Sequence, residues 1–313
     1  MKTWALWSFT ACGISLLLCG CGGGSPKQAA PAVSPLAGNW LIAGPLPTNG
    51  FTAPGTGVFS LAMSFDVTDN NITASGYASG FCASNSNPPI YNEAFSFSGL
   101  TTGVIAPDGS FTLQTPQNIP SYSLSMQGRV PEINTGQFAG TYTATFNSPV
   151  GPQCVGNSSG MFTASSFPFV SGVYNGTGNF QTSTNGIVST ASPITMQVSL
   201  QQGATVLNPT TGLSTPSNIA IGGNISVQGF PCFTSGTANT TQFGLNEEPL
   251  SFIAGNIIRV NFMMDDGSTL GLTGALSDST GRHISALFSV LPSEKCGGAG
   301  SYFFPPTGLT LQN

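Results

Sequence analysis

The chain has 313 residues, with 6 Lys and Arg against 11 Asp and Glu; 5% of it is charged, 40% is hydrophobic, and 22 residues are Phe. This balance excludes a disordered chain, which pairs low hydrophobicity with high charge. Basic residues are nowhere clustered, which excludes a nucleic-acid partner and electrostatic adhesion to anionic lipid. The polar share is Ser, Thr, Asn, Gln and Gly alternating with apolar residues, as suits sheets with one wet face, and the Lys and Glu of helix surfaces are scarce. An all-β fold is predicted.

Residues 1–21 read MKTWALWSFTACGISLLLCGC. Lys2 supplies a short positive start, and Trp4 to Leu18 carry no charge. That stretch is shorter than the about 20 residues of a membrane-crossing helix and fits a secretory leader. Leu18-Cys19-Gly20-Cys21 resembles the lipobox, the cleavage motif of bacterial lipoproteins. Leu18, Gly20 and Cys21 match the pattern, and Cys19 departs slightly at the small position. The resemblance covers the leader only. It implies that residues 1–20 are a signal peptide and that lipid on Cys21 ties the chain to a membrane. Acyl chains worth about 0.8 kcal/mol per buried methylene hold stably only as two or three together. Gly22 follows in place of an Asp, which by the same resemblance implies the outer membrane. The rival is an uncleaved signal anchor with Cys21 an ordinary thiol.

Residues 21–35 form the lipidated cysteine and a flexible tether, rich in Gly, Ser, Pro and Ala. A coil of this length spans about 20 Å.

The remainder reads as two similar halves, 36–170 and 171–313. Gly38-Asn39-Trp40 opens the first and Gly172-Val173-Tyr174 the second. Each half continues with a Gly-rich strand reaching a cysteine, Cys82 or Cys232. An acidic-Gly turn follows, Pro107-Asp108-Gly109-Ser110 or Asp265-Asp266-Gly267-Ser268. Each half then carries a late cysteine, Cys154 or Cys296. With Cys12 and Cys19 removed and Cys21 acylated, four cysteines remain, in an oxidising compartment. Of the three pairings open to them, the duplication selects Cys82–Cys154 and Cys232–Cys296. Each bond is worth about 4 kcal/mol in the chain-entropy model. A metal site is the poorer reading of two cysteines without a neighbouring His.

Period-two alternation marks the strands. Phe59, Leu61, Met63, Phe65 and Val67 share a face; so do Tyr122, Leu124 and Met126. In the second half Ile194 to Leu200, Ile258 to Met264 and Ile284 to Val290 repeat the pattern. About eight strands per half are expected, closed as a barrel or folded as a two-sheet sandwich. Gly38-Asn39-Trp40 resembles the Gly-x-Trp motif on the first strand of lipocalins, eight-stranded barrels that often carry small apolar ligands. The resemblance is three residues long. It implies that Trp40 plugs a barrel base, with Tyr174 in the corresponding place of the second half. A plain core Trp explains the same residue.

Chemistry is thinly signalled, and no cofactor or metal is called for by any motif. His283 is the sole histidine and alternates out of phase with a core stripe, facing solvent. Gly156-Asn157-Ser158-Ser159-Gly160 fits G-x-S-x-G, but in a Ser/Gly-rich loop with no helix after it to form a nucleophile elbow. Asp69, Asp108, Asp265 and Asp266 sit where turns use Asp to hold their own backbone. Glu247-Glu248 and Asp265-Asp266 are the candidate glycosidase carboxylates. The leading expectation is a lipid-anchored, non-catalytic envelope protein with a binding or structural role and an envelope partner. The alternatives are a lipocalin-like carrier of a small apolar ligand and an envelope hydrolase or glycan-active enzyme with a site between its halves.

Overall fold

The computed structural model describes residues 34–43, 60–83, 91–115, 122–147, 155–184, 187–207, 214–240, 250–296 and 301–312. The leader, Cys21 and nearly all of the tether lie outside these residues. So do Cys154, Glu247 and Glu248.

The fold is all-β, and the choice between barrel and sandwich resolves to barrels. The first has eight antiparallel staves: β1 (Gly38–Ala43), β2 (Ser60–Thr68), β3 (Asn71–Ala83), β4 (Tyr91–Ile105), β5 (Ser110–Gln114), β6 (Tyr122–Arg129), β7 (Gln137–Asn147) and β8 (Val155–Phe167). Each pairs with the next, and β1 closes onto β8. Simple alternation drives this closure, because each stave buries one face and the ring leaves no open edge. Inside, Phe138 meets Trp40, Phe65, Phe111 and Phe162 edge-on, at centroid distances of 4.7, 6.2, 5.8 and 5.8 Å. Each such side chain contributes about 1.5–3 kcal/mol by leaving water. Gly128 and Gly140 face each other across β6 and β7 and clear the space the rings need. A Cβ on Gly140 would stand 2.7 Å from the Phe162 ring.

The second barrel is built from β9 (Ser171–Thr184), β10 (Ile187–Gln202), a small arm of β11 (Thr205–Leu207) and β12 (Ser214–Pro216), β13 (Ile221–Gln228), β14 (Ser235–Ala238), β15 (Phe252–Ala254), β16 (Ile257–Met264), β17 (Thr269–Leu276), β18 (His283–Leu291) and β19 (Ser301–Leu311). Its ring runs β9, β10, β13, β14, β16, β17, β18, β19 and back to β9. One stave is interrupted. β14 and β15 both pair antiparallel with β16, β14 along Phe262–Met264 and β15 along Ile257–Arg259. They are two parts of one column, separated in the sequence between Ala238 and Phe252. The core of this barrel includes Tyr174, Met196, Val198, Ile225, Val260, Phe262, Leu272 and Phe288.

Most landmarks of the two halves occupy matching staves. Trp40 and Tyr174 lie on each first stave, and Cys82 and Cys232 lie at or just after each third. Cys154 and Cys296 precede each eighth. The acidic turn does not match. Asp108-Gly109 joins the fourth and fifth staves of the first ring, whereas Asp266-Gly267 joins the fifth and sixth of the second. The two turns still close alike, with Gly109 N–H on Ala106 O and Gly267 N–H on Met264 O. Their likeness is local turn chemistry and does not align the halves.

Candidate functional site

The carboxylates singled out in the sequence hold loops. The Asp265 carboxylate accepts from Thr234 Oγ1 at 2.7 Å and from Thr234 N, Ser235 N and Ser235 Oγ at 3.2 Å. The Thr234 hydroxyl, then those amides and the Ser235 hydroxyl, keep its pKa below the usual carboxylate value. Asp266 accepts from Ser268 N at 2.8 Å, Ser268 Oγ at 2.7 Å and Ser293 Oγ at 2.9 Å. Partial burial pushes its pKa up, but the Ser268 and Ser293 donors outweigh burial and leave it lowered. Asp108 repeats the Asp-Gly-Ser arrangement, taking Ser110 N at 3.0 Å and Ser110 Oγ at 2.7 Å. Asp69 stands in a β2–β3 turn with φ 56°. Asp108 and Asp266 hold their own turns, the work that their sequence contexts predict. Asp265 departs from that expectation: its carboxylate ties the β16 end to the strand after Cys232.

Ser158 corrects its sequence context. It lies within β8, opposite Ala144 of β7, so the G-x-S-x-G segment is a strand and not a loop. The neighbouring β7 ladder absorbs the segment, with Gly156 to Gly160 opposite Phe146 to Tyr142. His283 is exposed at the start of β18, with Thr310 Oγ1 3.4 Å from Nδ1. β8 pairs with β1 and β7, and β18 pairs with β17 and β19, so no ladder joins Ser158 to His283. Among the described residues no three His, Cys, Asp or Glu side chains gather as a metal site.

Trp40 and Tyr174 are both core residues with a satisfied polar tip. Trp40 Nε1 donates to Leu36 O at 2.8 Å, and Tyr174 OH donates to Gly281 O at 3.0 Å. Cys232 and Cys296 stand at bonding distance, with sulfurs 1.96 Å apart and Cα atoms 5.2 Å apart. Cys82 is placed by its backbone at the end of β3, opposite Glu93.

The densest polar cluster among the described residues was not legible in the sequence. It lies where the barrels meet. Asn39 Nδ2 donates to Gln202 Oε1 at 2.8 Å, and Gln202 Nε2 donates back to Asn39 Oδ1 at 2.8 Å. Asn39 Nδ2 also reaches Pro168 O at 2.9 Å, and Asn39 Oδ1 accepts from Ser64 Oγ at 2.6 Å. Gln202 Oε1 takes Val170 N at 3.1 Å, and Gln202 Nε2 reaches Asn218 O at 2.6 Å. Both amides thus use all four of their hydrogen-bonding capacities while buried. Their orientation is fixed, because Val170 N can only donate, and Pro168 O and Asn218 O can only accept.

A backbone contact completes the junction. Gly255, at the β15–β16 turn, donates its N–H to Ser64 Oγ at 2.9 Å. With φ 57°, a Cβ there would stand 2.5 Å from Trp40 O and 2.8 Å from Ala62 Cβ. Only glycine fits. The β15 column therefore crosses from its own barrel onto the outer wall of the other. Asp66 lies on the same wall; its pKa is raised by burial, against opposing hydrogen bonds from Ser217, Asn218 and Val67.

Away from the junction, the second barrel carries an open groove of about 500 Å³ on β10, β13, β14 and β16, lined by Gln197, Asn224, Ser226, Thr237 and Asp265 among others. A second depression, also about 500 Å³, lies over β9, β10 and β19 and shares Gln197 and Ser226 with the first.

No family model and no curated protein matches this chain. Among solved structures it is similar to the crystal structure of HpuA from Kingella denitrificans in complex with human haemoglobin. The identity is 11% and the TM-score 0.18, over 80% of this chain and 91% of that one. At that score no residue of HpuA can be matched to one here. No helix among the described residues is long and apolar enough to cross a membrane.

Proposed function

We propose that this chain is a lipid-anchored protein of the bacterial envelope, held in the outer membrane through Cys21, and that it works as a non-catalytic binding or structural body. Its first barrel is residues 36–170 and its second 171–313, joined through the buried amide pair. The observation that carries this reading is the junction. Asn39, Ser64 and Gln202 are buried and fully engaged in joining the barrels. A junction of that kind suits a rigid body that presents outer surface better than a hinged cleft that must close on a substrate. The aromatic packing around Phe138 supports the same view, because it fills the region a carried ligand needs.

The test has two arms in cells making the full chain. Labelling with a clickable fatty acid should mark the protein and should be lost in Cys21→Ala. A photo-crosslinking residue at exposed Thr177 should give a discrete adduct with an envelope component. Stoichiometric uptake of an apolar fluorescent probe by the purified chain overturns the reading in favour of a carrier. Undiminished labelling of Cys21→Ala removes the anchor.

A further inference from the structure

We propose that the outer face of the second barrel binds a neutral, uncharged polysaccharide lying across its staves, an assignment that rests on the binding role proposed above. Register places one side chain from each of six neighbouring staves in a single rung. His283 faces Thr310, Thr310 faces Asn175, Asn175 faces Gln197, Gln197 faces Ser226, and Ser226 faces Ser235. All but the half-buried Asn175 are exposed. The two depressions of about 500 Å³ lie along this rung and meet at Gln197 and Ser226, so the surface is one continuous trough.

The chemistry of the trough selects its occupant. Asn, Gln, Ser and Thr side chains both donate and accept, as every sugar hydroxyl does. Of the residues lining the two depressions only Asp265 is charged, and its oxygens are taken by Thr234 and Ser235. An anionic partner therefore finds no opposite charge here, and a cationic one meets a single carboxylate at one end of the trough, already held by Thr234 and Ser235. Spacing adds a second argument. Neighbouring staves lie about 4.8 Å apart, so an extended chain crossing the strands meets one rung residue from each stave in turn. Met263, 48% exposed on the groove edge, offers a soft apolar contact to the C–H face of a ring.

The experiment uses the full mature chain and three soluble probes: dextran, mannan and a β-1,4-linked N-acetylglucosamine hexamer. Titration calorimetry should show saturable binding of at least one. The double variant Gln197→Ala/Ser226→Ala should weaken it by about tenfold or more, the loss of two or more neutral hydrogen bonds. Thr273→Ala, exposed on another wall, should bind as the parent does, and all three proteins should unfold at the same temperature. Failure of all three probes to saturate overturns the assignment, as does a double variant that binds normally or retention of only a charged glycan or a protein. If the cross-linked adduct in cells survives in the double variant, the binding role stands and the trough is not its site.

Discussion

Asn39 and Gln202, 163 residues apart in the chain, exchange amide hydrogen bonds in both directions at 2.8 Å. One belongs to the first stave of the first barrel, and the other ends the second stave of the second. Replacing either side chain with a methyl group leaves buried donors and acceptors without partners, including those of the surviving amide. Asn39→Ala should therefore cost about 3 kcal/mol, measured by denaturant unfolding. The double variant Asn39→Ala/Gln202→Ala should cost clearly less than the sum of the two singles, because the second removal deletes groups the first has already stranded. Strict additivity would show that the pair is not coupled.

Gly255→Ala places a methyl group against the Trp40 carbonyl and Ala62 at a backbone angle that disfavours any side chain. A loss of about 2–4 kcal/mol is expected. Calorimetry should also show a single unfolding peak in the parent separating into two in the variant, as the barrels come apart. A single unshifted peak would mean that this turn does not hold the junction.

Asp66 and Asp265 should respond to pH with opposite signs. Asp66 has its folded pKa raised above the ordinary 3.8, so its proton is held more tightly in the folded state. Its contribution grows as pH falls through the raised value and is weakest at neutrality. Asp66→Asn should accordingly raise stability relative to the parent at pH 7, with the gain shrinking towards pH 3.8. Asp265 has a lowered folded pKa, so its contribution is present above 3.8 and is lost as pH falls through the lowered value. Asp265→Asn should be destabilising at pH 7 and neutral in strong acid. Paired urea titrations across pH 3 to 7 read both signs.

Non-reducing peptide mapping should recover Cys232 joined to Cys296 and Cys82 joined to Cys154. The variant Cys232→Ala/Cys296→Ala should lose about 4 kcal/mol, the entropy of closing a loop of this size. A Cys82–Cys232 peptide would refute the pairing within each half.

The inward faces were legible because alternation reports them directly. Leu61, Met63 and Phe65 are buried, as are Ile284, Ala286, Phe288 and Val290, and His283 is exposed out of phase with them. What alternation cannot report is which outer wall another barrel will cover. Ala62 and Ser64 point outward from β2 yet are as buried as their neighbours, because the β15–β16 turn rests on them. Asn39 stands between two residues chosen for their motif likeness, and it is the one that joins the barrels. No local pattern could have paired it with Gln202, since the partners meet only after both rings have closed. The interrupted stave was hidden for a related reason. β15 is three residues long and buried throughout, so it shows no alternation.

The start of the first barrel has a mechanical meaning. Leu36 is fully buried, its carbonyl is gripped by the Trp40 indole, and β1 is laced to β2 on one edge and to β8 on the other. If the chain is tethered through Cys21, a pull on its body reaches the barrel first at Leu36 and β1. Antiparallel ladders loaded along their length must break several hydrogen bonds at once, whereas a ladder peeled from its end breaks them singly. Tension on such an anchor would enter the barrel at Leu36, where the Trp40 grip and the two ladders of β1 are the first elements to bear it.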